Sequence, residues 1–200
     1  MTVVSGVLAE NPWVSRRLLT IAEYDRMGEV GILTEADKVE LIEGEVVAMA
    51  SVGTPHIWAV IALTRLFVRA VGDAADVSIQ MPVELGERSM PEPDVAVLRP
   101  RADGNRRRRP QAEEILLLVE VAQSSLDYDR KVKSLLYARH GIPEFWIVDV
   151  EGEIVEVRRD PTEKGYGSVE TFGREATLSP RLLPGVAIGV ADVLGRDGLG

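Results

Sequence analysis

The stretch Ile115 to Val121, I-L-L-L-V-E-V, does most to limit the fold. It is apolar at odd and even positions alike, so a strand built from it leaves no face for water. Such a strand belongs at the centre of a sheet covered on both sides. Glu120 interrupts the run. A carboxylate carried into that position costs several kcal/mol, on the order of the effective penalty for a buried ion, unless it is paired, protonated or bound to a cation. A buried salt bridge, or a strand-end carboxylate reaching water, accounts for it as simply as a functional site does.

The segments around this strand read as a mixed α and β pattern. Thr20 and Glu23 have capping-box spacing, which predicts a short helix to about Met27, ended by Gly28. Val39 to Ala50 reads as a hairpin turning at Glu43-Gly44, with a helix over 35–43 as the competing reading. His56 to Val71 is the clearest helix, with Ile57, Val60, Ile61, Phe67, Val68 and Val71 on one face. Strands are predicted over Ala75–Leu85 and Pro93–Leu98, followed by an exposed polar loop over 99–112. A helix follows over Asp127–His140, with Val132, Leu135 and Leu136 facing the core and Gly141 stopping it. Phe145–Val150 is the next strand. Glu153–Arg158 and Ser168–Phe172 form a meander about Lys164-Gly165, and Leu182–Leu194 closes the domain. The class is α/β or α+β, with a central mixed β-sheet flanked by helices. One domain spans 18–195, between tails at 1–17 and 196–200.

Composition narrows the function. The chain has 200 residues, no cysteine and two histidines, which excludes disulfides and makes a zinc enzyme a poor fit. No apolar run reaches the roughly 20 residues of a membrane span, and the first ten residues lack a signal-peptide pattern, so no membrane partner and a cytoplasmic location are expected. The net charge of -9 argues against a broad nucleic-acid face. It leaves room for a nucleic-acid enzyme, because a bound divalent cation offsets acidic site residues locally.

Asp94 opens one apolar strand and Glu120 lies in the next. Alone, Asp94 reads as a strand-entry aspartate. If the two strands pair, both carboxylates converge on one end of the sheet, and two hard oxygen donors at one point suit Mg²⁺. Lys133 reads either as a surface i,i+4 partner of Asp129 or as an ammonium over the carboxylate pair. Glu43 is a candidate further acid beside the metal, and Glu40 and Glu45 lie near it. His56 reads as a capping or packing histidine, or as a site residue. Arg106, Arg107, Arg108 and Arg109 read as a solvated loop, or as a clamp on nucleic-acid phosphates.

Taken together, these residues resemble the PD-(D/E)xK nuclease superfamily and, more closely, the Uma-type family of restriction-endonuclease-like proteins. The stretches that carry the resemblance are V-E-L-I-E-G-E-V-V (39–47), P-E-P-D-V-A-V (91–97), L-L-L-V-E-V-A (116–122), Y-D-R-K-V-K-S-L-L-Y-A-R-H-G-I-P-E-F-W-I-V-D (128–149) and L-L-P-G-V (182–186). The resemblance implies a restriction-endonuclease-like fold, Mg²⁺- or Mn²⁺-dependent hydrolysis of DNA phosphodiester bonds, and a homodimer. It implies Asp94, Glu120 and the backbone carbonyl of Val121 as metal ligands, with Glu43 an additional acid near the metal. The superfamily places a lysine two residues after the glutamate, where this chain has Ala122. Lys133, on the following helix, matches a relocated lysine, and Gln123 is a polar neighbour that assists. The competing reading is a catalytically inactive nuclease-like module for binding or dimerisation.

Overall fold

The protein is described by a computed structural model covering residues 15–102, 104 and 107–195. The two tails fall outside these residues almost entirely, and Arg106 lies outside them as well.

Helix α1 (Ile21–Glu29) starts at the expected capping box: the Thr20 side chain accepts from the Glu23 N–H, and Glu23 accepts from the Thr20 N–H. The helix runs past Gly28. The hairpin reading of 39–50 is correct, with β1 (Val39–Ile42) antiparallel to β2 (Glu45–Ala48). Gly44 turns it with φ 85°, and its Cα lies so close to Leu18 that a Cβ would collide there.

Helix α2 (Thr54–Val71) leads into a six-stranded sheet. In spatial order it is β3 (Asp76–Ile79), β4 (Val95–Leu98), β5 (Ile115–Ala122), β6 (Glu144–Asp149), β7 (Ile154–Thr162) and β8 (Gly165–Phe172). Neighbours are antiparallel except β5 and β6, which are parallel and need a helical crossover between them. That crossover is α3 (Leu126–Tyr128), a π turn (Asp129–Lys133) and α4 (Ser134–Arg139). The short strands β9 (Thr177–Leu178) and β10 (Ile188–Gly189) and helix α5 (Val190–Leu194) complete the chain.

β5 sits inside the sheet with every residue buried, as its two-sided apolar pattern requires. Leu117, Val119 and Val121 pack with α2 and α5 on one face. Leu118 and Ala122 pack with Leu136, Tyr137 and the hairpin's Ile42 on the other. None of the described helices is long and apolar enough to cross a membrane.

Three local expectations are corrected. The strand expected over Ala75–Leu85 stops at Ile79, because Gln80 turns left-handed at φ 49° before Pro82. On α2, Ile57, Ile61 and Val68 face out, about half exposed, while His56, Ala59, Leu63 and Phe67 face the sheet. On the crossover, Val132 is exposed, and Lys133, in the same π turn, faces inward instead.

Candidate active site

The antiparallel register of β4 and β5 sets Val95 opposite Val119, so Asp94 stands one step beyond, level with Glu120. The two expected acids therefore meet at one end of the sheet. Both are buried. Asp94 Oδ2 accepts from the Val121 N–H at 2.8 Å, and Oδ1 accepts from Gln80 Nε2 at 3.1 Å. Glu120 Oε1 accepts from Lys133 Nζ at 3.1 Å and from the Tyr137 hydroxyl at 2.6 Å. Both of these bonds fall on Oε1, leaving Oε2 for another partner.

Lys133 is therefore no surface partner of Asp129. Its ammonium is buried and also donates to Glu40 Oε2 at 2.8 Å. Glu40 in turn accepts from the Tyr128 hydroxyl at 3.1 Å and the Glu92 N–H at 3.3 Å. The surface i,i+4 pair of this helix is Asp127 with Lys131. Asp129 is buried and accepts from the Ser125 hydroxyl at 2.7 Å.

The charges are strongly perturbed. Burial pushes the Glu120 carboxyl up to about 8; Lys133 pulls it down, while Asp94 and Asp129 push it further up. Burial likewise lifts Asp129 to about 6. Burial works against the Lys133 ammonium, but Glu120 and Glu40 outweigh it and hold the amine protonated well above its usual range.

His56 enters from the first turns of α2. Its Nδ1 lies 2.8 Å from the Val121 carbonyl oxygen, and its Nε2 lies 3.0 Å from Asp94 Oδ1. The second contact is close enough for an ion pair, and Nε2 has no other polar partner among the described residues. Burial disfavours the imidazolium, yet the Asp94 carboxylate and the Val121 carbonyl raise its pKa overall. Gln123 Oε1 is a buried oxygen without a partner; its amide lies against Gly53, where a Cβ would collide with it.

The remaining expected residues lie elsewhere. Glu43 is exposed and bonds Arg139 at 3.2 Å; the hairpin acid that joins the network is Glu40, three residues earlier. Arg108 pairs with Glu114, and Arg109 with Asp25 and Glu84. Arg107 is exposed. Their loop joins the end of β4 to the start of β5, the sheet edge opposite Asp94 and Glu120. From Ile115 to Glu120 the strand climbs roughly 17 Å at about 3.3 Å per residue, so these arginines are not placed to clamp a phosphate at the acids.

Sequence reasoning passed over Tyr128 and Tyr137, and took Glu40 only as a neighbour of Glu43 and Asp129 only as a surface partner of Lys133. Glu40 carries the signal that exposed Glu120, an acid inside an apolar strand, V-E-L-I. The tyrosines carried none, since a buried aromatic is the ordinary case. A surface cavity lined by Ile42, Val47, Leu85 and Val132 reaches this network at Tyr128.

The donor set suits a hard divalent cation. Asp94, Glu120 Oε2 and the Val121 carbonyl supply oxygen, and His56 Nε2 lies beside them. Among the described residues no three His, Asp or Glu side chains gather about one point, so a cation held here would take most of its ligands from water and substrate oxygen.

Residues 21–191 match the Uma2 family, whose description reads "Putative restriction endonuclease". No curated protein shows significant similarity to the chain. Among solved structures it is similar to one described as a "putative nuclease belonging to DUF820" from Anabaena variabilis ATCC 29413. The TM-score is 0.70 at 16% identity, over 88% of this chain and 97% of that one. At that identity the likeness shows the fold alone.

Proposed function

Since the chain belongs to the Uma2 family of restriction-endonuclease proteins, we propose that it is a metal-dependent endonuclease cleaving DNA phosphodiester bonds, with Asp94 and Glu120 as metal ligands and Lys133 as its relocated lysine. One observation carries the reading: the buried Lys133 ammonium stands 3.1 Å from Glu120 Oε1. That contact supports reading Lys133 as the counterpart of the lysine that Ala122 lacks.

Mg²⁺ or Mn²⁺ bound there supplies Lewis acidity toward the scissile phosphate and acidifies a bound water. Asp94, held by the Val121 N–H and Gln80, presents its carboxylate at the strand end. Glu120 offers Oε2 while Lys133 and Tyr137 fix Oε1. Lys133 stays an ammonium, so its role is to steady the carboxylate and neutralise phosphate charge rather than to remove a proton. Glu40, Tyr128 and Asp129 position that ammonium. The Val121 carbonyl already accepts from His56, so it reaches a cation only through its second lone pair. The expected homodimer and cytoplasmic location belong to this reading too.

The second reading, a nuclease-like module without turnover, draws on the net charge of -9 and on the ammonium enclosed between two carboxylates. Mn²⁺-dependent cleavage of plasmid and single-stranded DNA separates the two. Wild type should nick or linearise DNA, and Glu120→Gln should lose at least about 100-fold of that rate, the scale of removing one charge-stabilising group. Equal cleavage by both proteins would assign the activity to a contaminant. Mn²⁺ binding without any cleavage would establish the inactive module.

A further inference from the structure

We propose that His56 is a nitrogen ligand of the divalent cation, bound through Nε2 beside Asp94 Oδ1. This rests on the metal-dependent reading above and specifies the ion's coordination and class; since no three His, Asp or Glu side chains gather about one point among the described residues of the ion-free protein, Glu120 joins Asp94 and His56 only as the ion draws it in.

A carbonyl oxygen only accepts, so the 2.8 Å contact with Val121 makes His56 Nδ1 the protonated nitrogen. The Nε2 lone pair of the neutral ring is then aimed toward Asp94 Oδ1, 3.0 Å away. Two acceptors at that distance need a positive centre between or beside them, a proton in the ion-free protein or a cation in the loaded one. A proton on Nε2 makes the ring an imidazolium paired with Asp94, and a cation that displaces that proton takes over the pairing. Adjacent ligands of an octahedral ion with bonds of about 2.1 Å are separated by about 3.0 Å. Asp94 and His56 already stand at that spacing, and both are more than nine-tenths buried.

The surroundings match those of a ligating histidine. Such a ring donates its other N–H to a carbonyl or carboxylate, which fixes its tautomer and orientation. Here the Val121 carbonyl is that acceptor, and it acts on the ion through the ring. Helix α2 is turned so that His56 faces the sheet at its start while Ile57 faces outward. An imidazole donor also shifts the ion's class: Mn²⁺ or Co²⁺ is favoured over Mg²⁺, which prefers oxygen alone.

The test uses the full chain, free of any tag, with Mn²⁺ alone and pulsed electron paramagnetic resonance. The chain has two histidines, and His140 sits at the far end of α4 from Lys133. The His140→Gln protein should therefore keep the imidazole-nitrogen modulation on bound Mn²⁺. The His56→Asn protein, whose amide can still donate to Val121, should lose that modulation and bind Mn²⁺ at least about 10-fold more weakly. Its Mg²⁺ affinity should fall less. Should His56→Asn fail to fold, the His140→Gln spectrum decides alone, since any imidazole signal in it comes from His56. Mn²⁺ that binds without nitrogen modulation, yet is lost in Asp94→Ala, overturns the histidine ligand and leaves the carboxylate site standing. Binding indifferent to Asp94→Ala overturns both.

Discussion

At the residue scale, the site is a set of ionisable groups that the fold keeps from water. Lys133 lies between Glu40 and Glu120, and breaking such a buried arrangement on one side typically costs about 3–5 kcal/mol. Asp129 shows the opposite sign. Its folded pKa of about 6 lies above the ordinary 3.8, so the folded state holds that proton more tightly than the unfolded chain does. Its ionisation therefore costs stability: the cost is absent below about pH 4, grows through the window to about 6, and is complete above it. Asp129→Asn keeps an oxygen for the Ser125 hydroxyl and removes the charge. At pH 7.5 the variant should be on the order of 1–2 kcal/mol more stable than wild type in urea unfolding, and the gain should vanish as pH approaches 4. A gain that instead grows toward low pH contradicts this account.

At the element scale, the crossover turns a surface-looking lysine into a candidate site residue. In a regular helix, Asp129 and Lys133 lie one turn apart and about 200° round the axis from Asp127 and Lys131, which pair on the surface. Asp129 and Lys133 are thus the inward pair of the π turn, and Val132 is exposed. Helical periodicity weighed apolar side chains alone, so it named Val132 as a core residue where the buried ammonium of Lys133 faces inward instead. On α2 the periodicity failed for another reason. That helix is apolar nearly all round, and its small residues Ala59 and Ala62 let the buried face approach the sheet, leaving Ile57, Ile61 and Val68 outside.

At the scale of the whole molecule, the proposed metal site would link ion binding to folding. An ion that binds only the folded protein stabilises it by about 2.7 kcal/mol at 100 times its Kd. Saturating Mn²⁺ should raise the Tm of wild type and leave that of Asp94→Ala unmoved; the same rise in both would place the ion elsewhere. The arginine loop lies at the end of the sheet opposite the acids, and two of its described arginines brace Asp25, Glu84 and Glu114. Sequence alone determined the central strand and the hairpin and singled out two acids that prove buried at one end of the sheet, because these depend on local alternation, turn chemistry and the cost of burying charge. It also marked Lys133, through its resemblance to a known pattern. Only the tertiary structure decided which acids the lysine meets and which way His56 points. Those contacts depend on strand register, on the rotation of α2 and on which face the crossover turns inward, all settled by packing between segments far apart in the chain.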